Sequence, residues 1–238
     1  MKKAVLFTAF NRLEYLKETL DSWSKVDDKI DYDFHFYVEP SDVVKDIVDS
    51  IIFFRDNTGV RAFININENV LGTGGNTWKG FDDLFTEYEF VILAEDDVIV
   101  SKDILRYFNA AERMYRDDKE IAIISANTKW DTYAPADVIR EQGFNGLVWG
   151  TWSRYWAEYF KDNWDKDYSS DTVHSGWDWH LNLRLLPNNG LKNINPLASR
   201  SNHIGINGMH CDESMFNQTK SSSFREDHDW LWLEEVNL

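Results

Sequence analysis

The sequence predicts an α/β fold in which a mostly parallel sheet is flanked by helices on both faces. Through the first 125 residues, short apolar runs alternate with segments whose apolar side chains recur at helical spacing. Polar residues directly follow three of these runs, as expected where parallel strands end at a common binding edge. We therefore expect one α/β domain whose site lies at the carboxyl edge of the sheet.

The individual elements follow from these runs in chain order. Residues 4–10 form the first strand, after which Asn11 is expected to cap a helix, with Glu14 completing a capping box. That helix carries one apolar stripe, which consists of Leu13, Leu16, Leu20 and Trp23. The remaining strands are predicted over 33–38, 60–66, 90–100 and 121–124, and the remaining helices over 42–53, after the loop 69–76, and over 103–116.

The second half of the chain has a different character. After residue 125 the periodicity weakens and tryptophan becomes frequent, at positions 130, 149, 152, 156, 164, 177 and 179. The sequence contains no internal repeat, and no linker separates its two halves. Residues 1–125 and 126–238 are therefore predicted to be fused in a single domain, in which the second half elaborates the first.

The composition restricts the classes of partner. The chain has 238 residues, with 25 Lys and Arg against 41 Asp and Glu, which gives a formal net charge of −16. Such a chain repels a phosphate backbone, which argues against a nonspecific nucleic-acid binder. The single cysteine, Cys211, precludes an intrachain disulfide, and no apolar run reaches the ~18 residues of a membrane span. We expect a cytoplasmic protein without a signal peptide or membrane span.

The most distinctive motif places three acids inside an apolar run. Glu95, Asp96 and Asp97 interrupt the predicted strand 90–100, where unpaired carboxylates would be costly to bury. Strand alternation puts Glu95 and Asp97 on one face and Asp96 on the other. One carboxylate could then bind Mn²⁺ or Mg²⁺, while another accepts a hydrogen bond from a sugar or ribose hydroxyl. The alternative is an acidic strand end that simply faces solvent.

A further candidate acid lies among aromatic residues. Asp178 is flanked by Trp177 and Trp179, and burial beside tryptophan raises the pKa of a carboxylate, which suits a general base. Tryptophan faces also stack on sugar rings, so Trp149, Trp177 and Trp179 are predicted to bind the acceptor. The alternative is a core tryptophan pair in which Asp178 caps the following helix.

Other candidates carry weaker signals. The glycines of residues 72–76 precede a helix, so a diphosphate could approach closely enough to bind the backbone N–H groups there. A tight turn without a ligand is an equal alternative. Arg200 could pair with a phosphate in bidentate fashion. His203 and His210 are open candidates for contacts with a metal or a phosphate, against the alternative of ordinary structural histidines.

Four segments, in order, resemble glycosyltransferases of the GT-A fold, most closely the N-acetylglucosaminyltransferase I family. They are the opening strand and helix, ILAEDDVIVSKDIL, GLVWGTWSRYWAEY with GWDWHLN, and LASRSNHIG. Residues 11–14 and 69–76 are also similar to the broad family-2 transferases. Trp177 stands where the family has the first Asp of an Asp-Asp-Trp segment. The family's membrane anchor and stem have no counterpart here, so we expect a bacterial or viral cytoplasmic enzyme.

The resemblance implies an inverting transfer from a nucleotide sugar, UDP-linked, with Mn²⁺ or Mg²⁺ bridging the diphosphate. It makes Asp97 the metal ligand and Asp178 the catalytic base, with residues 1–125 as the donor-binding half and 126–238 as the acceptor-binding half. The implied donor contacts are Glu95 and Asp96 at the sugar and ribose, and Glu39 or Asp42 at the uridine. The predicted donor-binding set is completed by Thr8, Asn11, Arg12, Asn76 and Arg200.

Two other functions are possible from the sequence. A sugar-nucleotide pyrophosphorylase shares the α/β core and the metal, but it should carry a glycine-rich loop after the first strand, and residues 8–12 contain no glycine. A noncatalytic carbohydrate-binding protein would explain Trp179 but not the three acids. The expected acceptor is a saccharide hydroxyl, and a modified DNA base is the open alternative despite the negative net charge.

Overall fold

The computed structural model describes residues 2–130, 132–170, 175–206, 216, 221–229 and 232–236. Its strands are β1 (Lys3–Ala9), β2 (Asp33–Val38), β3 (Arg61–Ile66), β4 (Phe90–Glu95), β5 (Val98–Val100), β6 (Ile121–Ser125), β7 (Asp137–Glu141), β8 (Trp149–Trp152), β9 (Lys192–Pro196), β10 (Ser201–His203) and β11 (Glu234–Glu235). Within these ranges nine strands form one sheet in the order β11-β7-β9-β6-β8-β4-β1-β2-β3, and β5 pairs separately with β10. The predicted α/β fold with a large, mostly parallel sheet is confirmed.

The helices connect and cover these strands. They are α1 (Leu13–Ser24), α2 (Val44–Thr58), α3 (Gly72–Leu84), α4 (Ile104–Tyr115), α5 (Ser153–Tyr155), α6 (Trp177–His180) and α7 (Leu186–Asn188). A π-helical turn (Trp156–Phe160) and a 3-10 turn (Lys161–Asn163) extend α5, a second π-helical turn (Leu181–Leu185) joins α6 to α7, and a 3-10 turn (Lys29–Asp31) precedes β2. No helix in the described ranges is both long enough and apolar enough to cross a bilayer.

Strand β1 shows that helices cover both faces of the sheet. Phe7 contacts Trp23 of α1, with their ring centroids 5.2 Å apart. The neighbouring residue, Leu6, packs instead against Gly80 of α3, where an added Cβ would lie 2.5 Å from the Leu6 side chain. Because successive side chains of a strand point to opposite faces, α1 and α3 lie on opposite sides of the sheet.

The second half of the chain completes the sheet begun by the first. Strands β1 to β4 pair in parallel, whereas β8 runs antiparallel between β4 and β6. Gly150 of β8 is opposite Ile92 on one side and Ile124 on the other. Strand β9 then pairs in parallel with β6 and antiparallel with β7. The two predicted halves therefore share one sheet.

Several predicted element boundaries were wrong. Helix α1 follows Arg12 without a side-chain cap, so the capping box of Asn11 and Glu14 does not form. Helix α2 continues to Thr58 and ends at Gly59, whose φ of +72° suits a glycine C-cap. Helix α3 begins at Gly72, inside the predicted loop 69–76, and the predicted strand 90–100 is divided into β4 and β5 by a turn.

Candidate active site

The candidate site lies at the carboxyl edge of β1, β2 and β4. These strands are parallel neighbours, and Thr8 near the end of β1 is in register with Tyr37 of β2 and Glu95 of β4. Residues that follow each strand are therefore brought together at one edge, where ligands of parallel α/β sheets bind. Glu39, Arg12 and the acids after Glu95 all lie in these strand-end segments.

Asp96 and Asp97 form the turn between β4 and β5 and share one counter-ion. Arg12 Nη2 donates to Asp96 Oδ1 at 2.6 Å, and Arg12 Nη1 donates to Asp97 Oδ2 at 2.5 Å. The two acid side chains are only 5% and 4% exposed, whereas that of Arg12 is 31% exposed. Thr19 of α1 also donates to the Asp96 carbonyl at 3.1 Å. The turn is thus buried and is anchored both to α1 and to the residue that precedes it.

This geometry corrects the predicted strand alternation of the acids. A continuous strand would direct Asp96 and Asp97 to opposite faces, but the chain turns at both residues. Their carboxylates consequently meet the same guanidinium. The alternative of an acidic edge that faces solvent does not apply either, because both carboxylates are buried.

Strand β10 brings a histidine to Asp97. The antiparallel pairing of β10 with β5 places His203 opposite Val98, next to the turn. His203 Nε2 lies 3.1 Å from Asp97 Oδ2, and the N–H of Ile204 donates to the Asp97 carbonyl at 2.9 Å. Gly205 follows, and a Cβ at that position would overlap the Asp97 carboxylate. Sequence reasoning left His203 open, because 106 residues separate it from its partner.

The three acids differ in their affinity for protons. Burial raises the pKa of Glu95 to about 8, and the charges of Asp97 and Asp178 act in the same direction. Burial raises the pKa of Asp96 to about 6 against the opposing charge of Arg12. Burial acts on Asp97 too, but its hydrogen bond with His203 and the charge of Arg12 outweigh that effect and lower its pKa. Asp97 is therefore the acid best kept ionised, as a metal ligand must be.

The residues present fit a divalent cation with few protein ligands. No three His, Cys, Asp or Glu side chains converge as a complete metal site in the described parts of the chain. Asp97 and His203 do converge. Gly205 lies beside both, and because it has no side chain, no Cβ fills the space next to Asp97 Oδ2 and His203 Nε2. Mn²⁺ and Mg²⁺ are commonly held by one or two protein side chains and take their other ligands from phosphates and water.

Asp178 lies at the start of α6 and within electrostatic reach of Glu95, whose pKa it helps to raise. Two glycines adjoin it. Gly176 has a φ of +108°, and a Cβ there would lie 2.9 Å from Asp178 Oδ1. At Gly146 a Cβ would lie 3.5 Å from the Asp178 Cβ. Asp178 and Trp179 are both half-buried, so the roles predicted for them remain open to test.

Two of the three tryptophans predicted to bind the acceptor belong to the core instead. Trp149 is fully buried in β8, and Trp177 is 6% exposed. Trp177 stacks on Trp164, with ring centroids 5.3 Å apart, and contacts Trp149 at 5.9 Å. Their faces are covered by other rings, so they cannot stack on a sugar ring in this arrangement. Trp179 alone of the three stays a predicted acceptor contact.

Arg200 is also a structural residue and not a phosphate ligand. Its side chain is fully buried and lies over the Tyr107 ring, 4.8 Å from the centroid. The guanidinium donates to the carbonyls of Ala198, at 2.7 Å, and Pro135, and Asp103 lies 3.5 Å away. The prediction that Arg200 contacts the donor was wrong, because the sequence showed its charge but not its burial.

Asn76, a further predicted donor contact, has its amide buried in the fold. It accepts from Asn67 at 2.8 Å and donates to the Tyr37 carbonyl at 3.0 Å, which fixes α3 to the end of β2. Glu39 is likewise buried and accepts from the N–H of Leu71 at 2.6 Å. By contrast, Asn11 and Asp42 are exposed at the same edge.

The glycine-rich segment serves packing at one of its positions. A Cβ at Gly74 would lie 2.8 Å from the Lys166 carbonyl oxygen, and Trp164 Nε1 donates to the Gly74 carbonyl at 3.1 Å. The chain around Lys166 therefore crosses the first turn of α3. This is the backbone segment that was predicted to contact a diphosphate. His210 and Cys211 lie outside the described residues.

Comparison with known sequences identifies a family. The sequence model of the GNT-I family matches residues 78–217. An Arabidopsis thaliana alpha-1,3-mannosyl-glycoprotein 2-beta-N-acetylglucosaminyltransferase is 32% identical over 138 residues, which cover 53% of this chain and 28% of the relative. The chain thus spans between a quarter and a third of that curated relative's length.

Solved structures share the fold at low sequence identity. S. aureus TarS 1–349 has a TM-score of 0.63 at 15% identity, covering 87% of this chain and 61% of that one. The mannosyltransferase PcManGT from Pyrobaculum calidifontis, in complex with GDP-Man and Mn²⁺, has a TM-score of 0.56 at 12% identity, covering 82% of this chain and 54% of that one. The fold is that of GT-A glycosyltransferases, and the family match covers more than half of the chain. This chain therefore belongs to the GNT-I family.

Proposed function

We propose that this protein is an inverting, metal-dependent glycosyltransferase that moves a sugar from a UDP-linked donor to a saccharide hydroxyl. The observation that carries the proposal is the convergence of a buried carboxylate pair, Asp96 and Asp97, with His203 at the strand edge. The charge of Asp178 acts on the same edge, since it helps to raise the pKa of Glu95. The family match and the transferase name of the plant relative support the reaction class. That name also makes N-acetylglucosamine the first donor sugar to test.

Each part of the site has one task in this reaction. Asp97 and His203 would hold the cation, and Asp96 would accept a hydrogen bond from a ribose hydroxyl. When bound, the cation offsets the negative charge of the departing diphosphate. Glu95 would face the donor sugar, and Glu39 or Asp42 the uridine. Arg12, which pairs with Asp96 and Asp97 and is partly exposed, would adjoin the donor as well.

The chemical step is a single displacement. The Asp178 carboxylate removes the proton from the acceptor hydroxyl, and that oxygen forms a bond to the anomeric carbon. The bond from this carbon to the diphosphate oxygen breaks on the opposite face, so the configuration inverts and UDP leaves with the electron pair. One base is sufficient, so this proposal leaves Glu95, Asp96 and Asp97 for the donor and the cation.

A noncatalytic carbohydrate-binding protein is a weaker alternative. That function rested on a tryptophan platform, but Trp149 and Trp177 are enclosed in the core. It also assigns no task to the pair formed by Asp97 and His203. A test for UDP release distinguishes the two functions, because only a transferase liberates the nucleotide.

The first prediction concerns Asp178. With Mn²⁺, UDP-N-acetylglucosamine and mannose-containing oligosaccharides, Asp178→Asn should lower the rate of UDP release about 100-fold or more, since the base is lost. Donor affinity, measured by calorimetry, should change little. Asp49→Asn, at an exposed acid on α2 paired with Lys45, is the control and should keep the full rate. A folded Asp178→Asn protein with undiminished turnover would refute the assignment of the base.

The second prediction concerns Asp97. Asp97→Asn should abolish the Mn²⁺-dependent part of donor binding, because a carboxamide is a much poorer ligand than a carboxylate. Calorimetry with and without Mn²⁺ measures the difference. Equal Mn²⁺-dependent affinity in the wild-type and variant proteins would exclude Asp97 as a ligand.

A further inference from the structure

A loop between β7 and β8, residues 144–148, contacts both sides of the candidate site. On one side it meets the helix that carries Asp178. The Asn182 side chain accepts from the N–H of Phe144 at 2.8 Å and donates to the Phe144 carbonyl at 2.9 Å. Asn182 lies four residues after Asp178, in the π-helical turn that continues α6. Gly146 of the same loop then lies directly against Asp178, as described above.

On its other side the loop is bonded to the strand that carries His203. Asn145 Nδ2 donates to Asn127 Oδ1 at 2.9 Å, and Asn127 Nδ2 donates to the Ser201 carbonyl at 2.9 Å. Ser201 Oγ returns a hydrogen bond to the Leu147 carbonyl at 2.7 Å. Ser201 opens β10, two residues before His203. Hydrogen bonds therefore join the loop to Ser201, and the backbone of β10 continues from Ser201 to His203, which contacts Asp97.

The backbone of the loop is also strained. Val148 has a φ of +67° although it is β-branched and fully buried. Such a conformation persists only where the surrounding structure imposes it, and it occurs most often at functional sites. Here the N–H of Ala126 donates to the Val148 carbonyl at 2.9 Å, and Asn145 Oδ1 accepts from the N–H of Leu147 at 3.1 Å. The loop is thus held in one shape by its neighbours.

We propose that the loop 144–148 sets the distance between Asp178 and the pair of Asp97 and His203, and that Asn182 and Asn145 are positioning residues for the reaction. The inference rests on the proposed function, since it needs Asp178 as the base. Asn182 fixes the loop to the helix of the base, and Asn145 fixes it to the cation side. Neither amide needs to touch the substrate, because a small displacement of a base from its acceptor is enough to slow transfer.

Asn182→Ala tests the proposal most directly. We expect kcat to fall between about 10-fold and 100-fold as Asp178 moves, with KM for the donor and Kd for Mn²⁺ within about twofold of wild type. Asn182→Asp keeps the side-chain volume and the acceptor for the Phe144 N–H, but it turns a carboxylate oxygen towards the Phe144 carbonyl, so it should not restore the wild-type kcat. Asn189→Ala is the matched control, because its amide also donates to a carbonyl, that of Leu185 at 2.8 Å, on the same helical segment. It should keep the wild-type kcat.

The outcomes separate this proposal from the function on which it rests. Unchanged kcat in Asn182→Ala, with Asp178→Asn inactive, overturns the positioning role and leaves the base assignment standing. A parallel loss of Mn²⁺ affinity, donor affinity and kcat indicates general loosening of the fold and also overturns it. If Asn182→Ala does not fold, Asn145→Ser provides the same comparison from the other side of the loop. Full activity of Asp178→Asn would remove both proposals together.

Discussion

Arg12 neutralises the buried acids Asp96 and Asp97, a task that a bound divalent cation could also perform. Two carboxylates with almost no exposure need a positive charge close by, because an uncompensated buried charge is costly. In this structure the guanidinium supplies it to Asp96 and Asp97 together. A divalent cation at Asp97 would carry the same sign of charge to nearly the same place. Arg12 and such a cation would therefore repel each other at this turn.

This opposition predicts that Arg12→Gln binds Mn²⁺ more tightly than wild type. Removing a like charge a few ångströms from the cation should raise the affinity about tenfold, which corresponds to about 1.4 kcal/mol. The metal-free variant should also melt at a lower temperature, because its two acids lose their counter-ion. Calorimetric Mn²⁺ titration without donor measures the affinity. Lys17→Gln, at an exposed residue paired with Glu14 on α1, is the control, and a weaker affinity in Arg12→Gln would contradict the argument.

His35 predicts a pH dependence of stability far from the acids. Its Nε2 lies 2.9 Å from the Tyr88 hydroxyl, its ring stacks on Phe63, and burial lowers its pKa to about 4. In the unfolded chain the His35 pKa has its ordinary value of 6.5. Between pH 6.5 and about pH 4, His35 is therefore protonated in the unfolded chain but neutral in the folded chain. The free energy of unfolding should therefore fall as the pH drops from 6.5 towards 4.

Replacing His35 isolates that contribution. His35→Gln retains a hydrogen-bonding group but cannot titrate, so its stability should decline less between pH 7 and pH 5 than that of wild type. Urea unfolding at the two pH values gives both differences. Equal differences in the two proteins would show that His35 does not contribute to the slope.

At the scale of elements, helix α3 illustrates how packing overrides local preference. Glycine lowers helix propensity, so the segment Gly72–Asn76 suggested a loop before a helix. In the structure the helix starts at Gly72, and the absence of side chains at Gly74 and Gly80 lets Lys166 and Leu6 approach its backbone. Gly74 and Gly80 are needed because neighbouring elements pack closely against the helix there, and the periodicity of apolar residues in the sequence cannot reveal such contacts.

Gly74→Ala should therefore destabilise the protein. The added Cβ would lie 2.8 Å from the Lys166 carbonyl oxygen and 2.9 Å from its Cα, and backbone atoms cannot rotate away. We expect a loss of about 1–3 kcal/mol in the free energy of unfolding, despite a better helix former at the site. Gly75→Ala meets mainly side-chain atoms and is the control. Chemical denaturation compares the two, and equal stabilities would contradict the packing argument.

At the scale of the whole molecule, the position of β8 decides how the halves of the chain cooperate. It lies between β4 and β6, and Gly150 lies so close to the Phe90 ring that a Cβ there would meet it at 2.5 Å. Within the described ranges, β6 of the first half is joined to β4 only through β8, and β8 of the second half is joined to β9 only through β6. The residues predicted for the donor side and those predicted for the acceptor side thus depend on the same core.

The shared sheet predicts one cooperative unfolding transition for the full chain. Far-UV circular dichroism follows the first half through its helices, and tryptophan fluorescence follows mainly the second half, where most of the tryptophans lie. Both signals should give the same midpoint of thermal unfolding. Two midpoints that differ beyond error would indicate that the halves unfold independently.

The sequence by itself determined the α/β class, the order of most elements and the position of the acids at a strand end. These features depend on local periodicity and on where an apolar run stops, so they are visible in a single chain. It also contained the motifs that led to the family, which the match over residues 78–217 confirmed.

Only the tertiary structure decided which of the candidate residues meet. His203 reaches Asp97 from 106 residues away, because β10 pairs with β5, and Arg200 is enclosed beside Tyr107 instead of facing a phosphate. Trp149 and Trp177 became core residues for the same reason. Burial and long-range contact depend on the order of strands in the sheet and on which segments cross, and neither is encoded in the spacing of neighbouring residues.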